Sequence, residues 1–172
     1  MSLIVEQYDT DKIYLGQSKF SCGNDIIDKF VKSSLKKQVR ENLSKAYVVL
    51  DSDNENLFVG FYTIKAFAVD ASSLVALSKG SLPRTIPCLR LNMLGVSESY
   101  KKQGIGKKLL KHAIKTTLRV SDAAGVYGLY LDADCKAVDF YLKHSFVALT
   151  DIQAATSTPM FIALETIKHS LE

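Results

Sequence analysis

The sequence predicts a mixed α/β domain whose sheet is mostly antiparallel and contains one parallel pair. Three observations carry this. A polar stretch, Asp51–Asn56, separates the apolar runs Tyr47–Leu50 and Leu57–Val69, the pattern of an antiparallel hairpin. Strand, amphipathic helix and strand follow one another from Pro87 to Leu131, which makes a parallel pair joined by a crossover helix. No internal repeat, low-complexity tract or Pro/Gly/Ser-rich linker divides the 172 residues, so 1–172 is expected to form one domain.

Taken in order, Leu3–Gln7 reads as a short first strand, followed by a turn or helix through Asp11 to Leu15. Asn24 or Asp25 caps a helix whose apolar positions, Ile27, Val31, Leu35 and Val39, recur every four residues. The hairpin comes next. Asp70 to Ile86 is irregular, with Leu82-Pro83 marking extended chain. Pro87–Val96 is a strand, and Gly104–Val120 a helix with Ile105, Leu109, Leu110, Ala113, Ile114 and Leu118 on one face. Val126–Leu131 is a strand, Ala137–His144 a short helix, and Phe146–Leu149 and Met160–Leu164 the last strands.

Apolar residues are 47 % and charged residues 23 % of the chain, the balance of a globular protein with a core of its own. No apolar run reaches the length of a membrane helix, and Glu6, Asp9 and Asp11 stand where a signal peptide would be apolar. Cys22, Cys88 and Cys135 are scattered without metal or redox spacing. A reduced, cytoplasmic protein without metal is expected, with Cys22 and Cys135 as buried small residues. The histidines, His112, His144 and His169, show no partner spacing and are given no role.

Lys+Arg number 22 against 18 Asp+Glu, a net charge of +4, and the distribution says more than the total. Lys101, Lys102, Lys107, Lys108, Lys111, Lys115 and Arg119 lie between Ser99 and Ser121 without an acidic residue. Lys79, Arg84 and Arg90 fall in a second acid-free stretch, and Lys29, Lys32, Lys36, Lys37, Arg40 and Lys45 are opposed only by Glu41. Each cluster alone reads equally well as a solvated face. Three in one small domain favour an anionic partner, either a phosphorylated cofactor or nucleic acid.

The informative element is Lys101-Lys102-Gln103-Gly104-Ile105-Gly106, between a strand and a helix. Glycines one residue apart allow a tight turn and close approach of backbone to ligand. Their amides sit at a helix N-terminus, where unpaired N–H groups and the helix dipole favour an anion. A Walker loop is excluded, since Gly106 is followed by Lys107-Lys108 and lacks a first glycine at the required spacing. A dinucleotide fingerprint is excluded because Leu109 stands at its third glycine.

Lys101–Gly106 resembles the Q/R-x-x-G-x-G/A acyl-CoA loop of the GNAT superfamily of N-acetyltransferases. Leu94-Gly95-Val96 before it resembles that family's splayed strand, and Phe140-Tyr141 lies on the later helix as in many members. A narrower resemblance, to GNAT toxins of bacterial toxin–antitoxin pairs, rests on Phe20-Ser21-Cys22-Gly23, Ile27-Asp28-Lys29-Phe30 and Gln38. Gly60-Phe61-Tyr62-Thr63, Leu82-Pro83…Ile86-Pro87 and Asp132-Ala133…Phe140-Tyr141 extend it. Lys101 replaces the usual Gln or Arg, Ser145-Phe146 the usual Gly-Phe, and Met93 stands at a position that is often Arg.

The resemblance implies a GNAT-type acyl-CoA N-acyltransferase fold and acetyl-CoA as co-substrate. It implies acetylation of the α-amino group of an aminoacyl-tRNA, restraint by a ribbon-helix-helix antitoxin, and allows a homodimer. Acetyl-CoA would be held by Leu94, Gly95, Val96, Lys101, Lys102, Gln103, Gly104, Ile105, Gly106 and Lys107. Tyr141 would be the general acid for the leaving thiolate, against the plainer reading of a tyrosine packing beside Phe140. Lys36, Lys37, Arg40, Lys79, Arg84 and Arg90 are the candidates for tRNA phosphate contacts.

No Asp or Glu occurs in Leu57–Val69 or Pro87–Val96, where a base would face the amine. A lysine acceptor (pKa ~10.4) needs such a base, whereas an α-amino group (~7.7–8.0) is partly neutral already. The pattern suits an aminoacyl ester. Glu98, Asp132 and Asp134 remain as bases through water or as loop and helix caps. The alternatives are a GNAT enzyme for a small amine or protein N-terminus, and a non-catalytic CoA-binding or interaction module.

Overall fold

The computed structural model describes residues 1–77, 80–153 and 155–170. Seven strands form one sheet in the order β1-β2-β3-β4-β5-β7-β6, from β1 (Leu3–Gln7), β2 (Lys45–Asp51), β3 (Leu57–Asp70), β4 (Thr85–Val96), β5 (Gly128–Ala133), β6 (Val147–Ala148) and β7 (Thr158–Ala163). Pairing is antiparallel for β1–β2, β2–β3, β5–β7 and β6–β7, and parallel for β4–β5, where Leu89 faces Leu129 and Arg90 faces Tyr130. This is the expected mixed sheet with its one parallel pair.

The chain groups into two compact units, one of Met1–Lys65 with Asn92–Ala113, the other of Ala66–Leu91 with Ile114–Glu172. In the first, Phe20 meets Phe58 and Phe61 edge-on at 5.4 and 5.7 Å, within a core that also holds Val31, Leu35 and Val48. In the second, Val69, Leu74, Ile86, Cys88 and Phe161 form a separate cluster.

The expected first helix is two. α1 (Asp25–Ser33) starts at Asn24, whose Oδ1 accepts the amides of Ile26 and Ile27 at 3.0 and 3.2 Å. It stops at Ser34 (φ −126°), and α2 (Leu35–Arg40) begins at once. The Ser33 hydroxyl donates to the Lys29 carbonyl at 2.7 Å, a local bond that weakens and bends a helix. The apolar stripe still runs through the break: Val31 and Leu35 are buried, and Ile27 and Val39 pack on the same core.

α3 (Ile105–Ser121) follows the glycine loop with Ile105, Leu109, Leu110 and Ala113 buried, as its periodicity predicts. α4 (Val138–Leu142) is shorter than expected, and α5 (Leu164–Ser170), which buries Ile167, starts where the last expected strand, Met160–Leu164, ends, and no element is expected beyond it. Cys22 and Cys88 are buried, but Cys135 is exposed, correcting the expectation that it fills a core position. It lies just beyond the end of β5, outside that strand's buried alternation.

Ser145, in the turn between α4 and β6, has φ +71°, a left-handed conformation that a Cβ disfavours. Ser145→Gly, the residue the family pattern carries there, is expected to stabilise the protein by about 0.5–1 kcal/mol in urea unfolding, the local relief being partly offset by a freer unfolded chain.

Candidate active site

The glycine loop is a surface feature with a buried exit. Lys101, Lys102, Gln103 and Gly104 are exposed, whereas Ile105 is 1 % exposed and locks the first turn of α3 into the core. Lys102 and Gly104 have φ of +62° and +81°. The first helical bond runs from the Lys108 amide to the Gly104 carbonyl at 3.0 Å, so the amides of Ile105, Gly106 and Lys107 precede the ladder. A Cβ on Gly104 would meet nothing within 4 Å. Three backbone donors at a helix N-terminus, beside an open glycine and the side chains of Lys102 and Lys107, fit a diphosphate.

Lys101 is turned elsewhere. Its ammonium donates to the Cys22 carbonyl, so the side chain expected to face the cofactor is bonded to the protein's own backbone. Gly95 is also bound to the interior. A Cβ there would lie 3.0 Å from Ile27, 3.2 Å from Phe61 and 3.4 Å from Phe20, so packing already requires glycine at this point of β4. Leu94 and Val96 flank it and are half-buried, beyond the Leu89 and Arg90 positions where β4 pairs with β5.

Tyr141 lies on α4 with its ring buried, edge-on to Phe146 at 5.6 Å and to Phe140 at 5.1 Å. Among the described residues nothing hydrogen-bonds its hydroxyl, and the oxygen is not among the fully enclosed polar atoms. Burial pushes its pKa up to about 12, so the phenol keeps its proton throughout the neutral range. The ring is core; the hydroxyl is an unused donor at its edge.

Of the carboxylates left open as bases, Glu98 is exposed, while Asp132 and Asp134 have other partners. Asp132 accepts from Arg90 at 2.8 Å and from the Tyr130 hydroxyl at 2.9 Å. Asp134 accepts the Lys136 amide at 3.0 Å, a turn cap. Asp70, at the end of β3, accepts the Ser72 hydroxyl and amide, which hold its pKa below the usual carboxylate value. The thiols of Cys22 and Cys88 are pushed up to about 11, chiefly by burial, so neither is a nucleophile.

Of the phosphate candidates, Lys36, Lys37 and Arg40 are brought together on α2, all exposed. Arg84 is exposed, ahead of β4. Arg90 is half-buried, its guanidinium over the rings of Phe67 and Tyr130 at 5.1 and 5.8 Å and paired to Asp132. Lys79 lies outside the described residues. His112, given no role from sequence, shares a 2.7 Å hydrogen bond with the Tyr62 hydroxyl.

A glycine loop opens a helix after a strand that pairs in parallel with the next, an arrangement that fits a ligand carrying a diphosphate. Residues 44–148 match the acetyltransferase (GNAT) domain family, and the chain belongs to that family of acetyl-CoA-dependent N-acetyltransferases. Similarity extends beyond the domain. The probable toxin TacT of Sinorhizobium fredii is 23 % identical over 96 % of this chain and 93 % of its own length. A crystal structure described as a bacterial toxin is 35 % identical, covering 99 % of this chain and 95 % of that one, with a TM-score of 0.93. The toxin AtaT complexed with acetyl-methionyl-tRNAfMet is 25 % identical over 99 % of this chain and all of that one (100 %), with a TM-score of 0.88. A tyrosine-to-phenylalanine mutant of AtaT, bound to acetyl-CoA and the C-terminus of the antitoxin AtaR, is 25 % identical over 98 % of both chains, with a TM-score of 0.81.

Proposed function

We propose that this chain is a cytoplasmic toxin that moves the acetyl group of acetyl-CoA onto the α-amino group of an aminoacyl-tRNA, and that a small antitoxin restrains it. The observation that carries the reading is the reach of the similarity. The family domain begins at residue 44, yet likeness to AtaT bound to acetyl-methionyl-tRNAfMet spans 99 % of the chain, so it takes in α1 and the basic α2. The whole of 1–172 serves as one acetyltransferase domain.

Each part then has a task. The amides of Ile105, Gly106 and Lys107 hold the diphosphate, with Lys102, Gln103 and Gly104 shaping the turn and Leu94–Val96 lining the pantetheine and thioester. The Tyr141 hydroxyl donates to the sulfur as negative charge develops there. Lys36, Lys37, Arg40 and Arg84 meet tRNA phosphates, whereas Arg90 is already held by Asp132. The α-amino group attacks in its neutral form, consistent with Asp132 being held by Arg90 and Tyr130 and Asp134 by the Lys136 amide.

The test is direct. Charged tRNA incubated with acetyl-CoA and the protein is expected to yield acetyl-aminoacyl-tRNA. Failure with every amino acid would sink the reading. Charge reversal of Lys36, Lys37 and Arg40 together is expected to weaken tRNA use and flatten its salt dependence by a log–log slope of about 2–3, while acetyl-CoA binding stays unchanged. A small-amine enzyme would be indifferent to those reversals.

A further inference from the structure

The exposed turn Lys102–Gly104 is tied down on its entry side by the side chains of Tyr100 and Lys101. Tyr100 immediately precedes the loop, and its hydroxyl donates to Asp51 Oδ2 at 2.8 Å. Asp51, at the end of β2, is only 6 % exposed, and its other oxygen accepts the Asp53 amide at 3.1 Å. Asn54 donates to the same Tyr100 oxygen at 3.3 Å. Both carboxylate oxygens of Asp51 are therefore in use, and the β2–β3 turn grips the residue just before the loop.

The second tie is one residue on. Lys101 donates its ammonium to the Cys22 carbonyl, and the Glu98 amide donates to the Ser21 carbonyl at 2.9 Å. The Phe20–Cys22 segment is itself fixed, because Phe20 and Cys22 are core residues and the Cys22 amide donates to Asp28 at 2.8 Å. With Tyr100 and Lys101 held at the entry and Ile105 in the core at the exit, three residues are left between anchors. That is short enough to fix where the amides after Gly104 point.

We propose that Tyr100 and Lys101 are positioning residues for the acyl-CoA loop, acting through its backbone rather than by touching the ligand. The proposal rests on reading that loop as the diphosphate site. It gives Lys101 a different task from direct phosphate contact. A bond to the Cys22 carbonyl holds the loop whether or not a ligand is present, whereas a contact cation acts through a salt-screened field.

Calorimetric titration of the full chain with acetyl-CoA tests this, alongside steady-state kinetics with acetyl-CoA and with S-acetylpantetheine, which lacks the diphosphate. Tyr100→Phe and Lys101→Met are each expected to raise the Kd and KM for acetyl-CoA about tenfold at unchanged kcat, and to leave S-acetylpantetheine turnover unaltered. The Lys101→Met deficit should persist in high salt. Lys101→Arg, which keeps a donor for the Cys22 carbonyl, should recover most of the affinity. Wild-type affinity in both variants, or equal losses with and without the diphosphate, overturns the proposal alone. A wild-type chain that does not bind acetyl-CoA brings down the loop reading and the proposal with it.

Discussion

Tyr141→Phe is expected to lower kcat for acetyl transfer by about 10²–10⁴-fold, with acetyl-CoA affinity and thermal stability close to wild type. The stability half follows from packing. The ring is already in contact with Phe140 and Phe146, and the hydroxyl has no partner among the described residues, so removing it leaves no orphaned group. The catalytic half follows from protonation. Burial pushes the phenol up to about 12, so at neutral pH the donor form is the only one populated. Complete transfer to a thiolate of ordinary pKa (~8.5) is uphill, so the hydroxyl works by donating a hydrogen bond as charge grows on sulfur.

The pH dependence separates these halves. Activity should rise as the acceptor's α-amino group loses its proton near pH ~8, and Tyr141 should impose no fall until far above that. Stability has the opposite sign at high pH. The unfolded phenol ionises at its ordinary value near ~10 while the buried one holds its proton to about 12. The native state thus retains more protons across that window, and its stability falls as pH rises through it. Tyr141→Phe should lack this part of the alkaline loss. Wild-type kcat in the variant would reduce Tyr141 to a packing residue.

Local periodicity carried the strands and α3, because a half-buried strand or helix writes its buried face into every second or every third to fourth residue. The same logic explains the break at Ser34. The stripe Ile27–Val31–Leu35–Val39 continues across it, so nothing in the apolar pattern marks the break beside the Ser33 hydroxyl's bond to the Lys29 carbonyl. α5 was hidden for the converse reason. A seven-residue helix that buries only Ile167 offers no second apolar repeat to read.

In the site, composition showed which side chains carry charge but not where they point. Lys101 and Arg90 both read as cations awaiting an anion. The Cys22 carbonyl and the Asp132 carboxylate, 79 and 42 residues away in sequence, turn out to hold them. Tyr100 carried no signal beyond an aromatic residue next to the loop. Its significance comes from Asp51, placed there by the β2–β3 turn. The glycine spacing, in contrast, was legible because it reports a backbone requirement, which needs no distant partner.

That requirement makes Gly104→Val the sharpest test of the loop. At φ +81° a β-branched residue is a steric outlier, so the chain must leave this conformation rather than adapt to it. A Cβ there meets nothing within 4 Å, and Ile105 still anchors α3. The fold should therefore survive with a loss of about 1–2 kcal/mol, read from urea unfolding. Ligand binding has no such escape, because the loop path through Gly104 sets where the amides of Ile105, Gly106 and Lys107 point ahead of the helical ladder. The Kd for acetyl-CoA is expected to rise about a hundredfold or more, equivalent to about 2.7 kcal/mol. Equal affinity in variant and wild type would show that the diphosphate is held somewhere other than this turn.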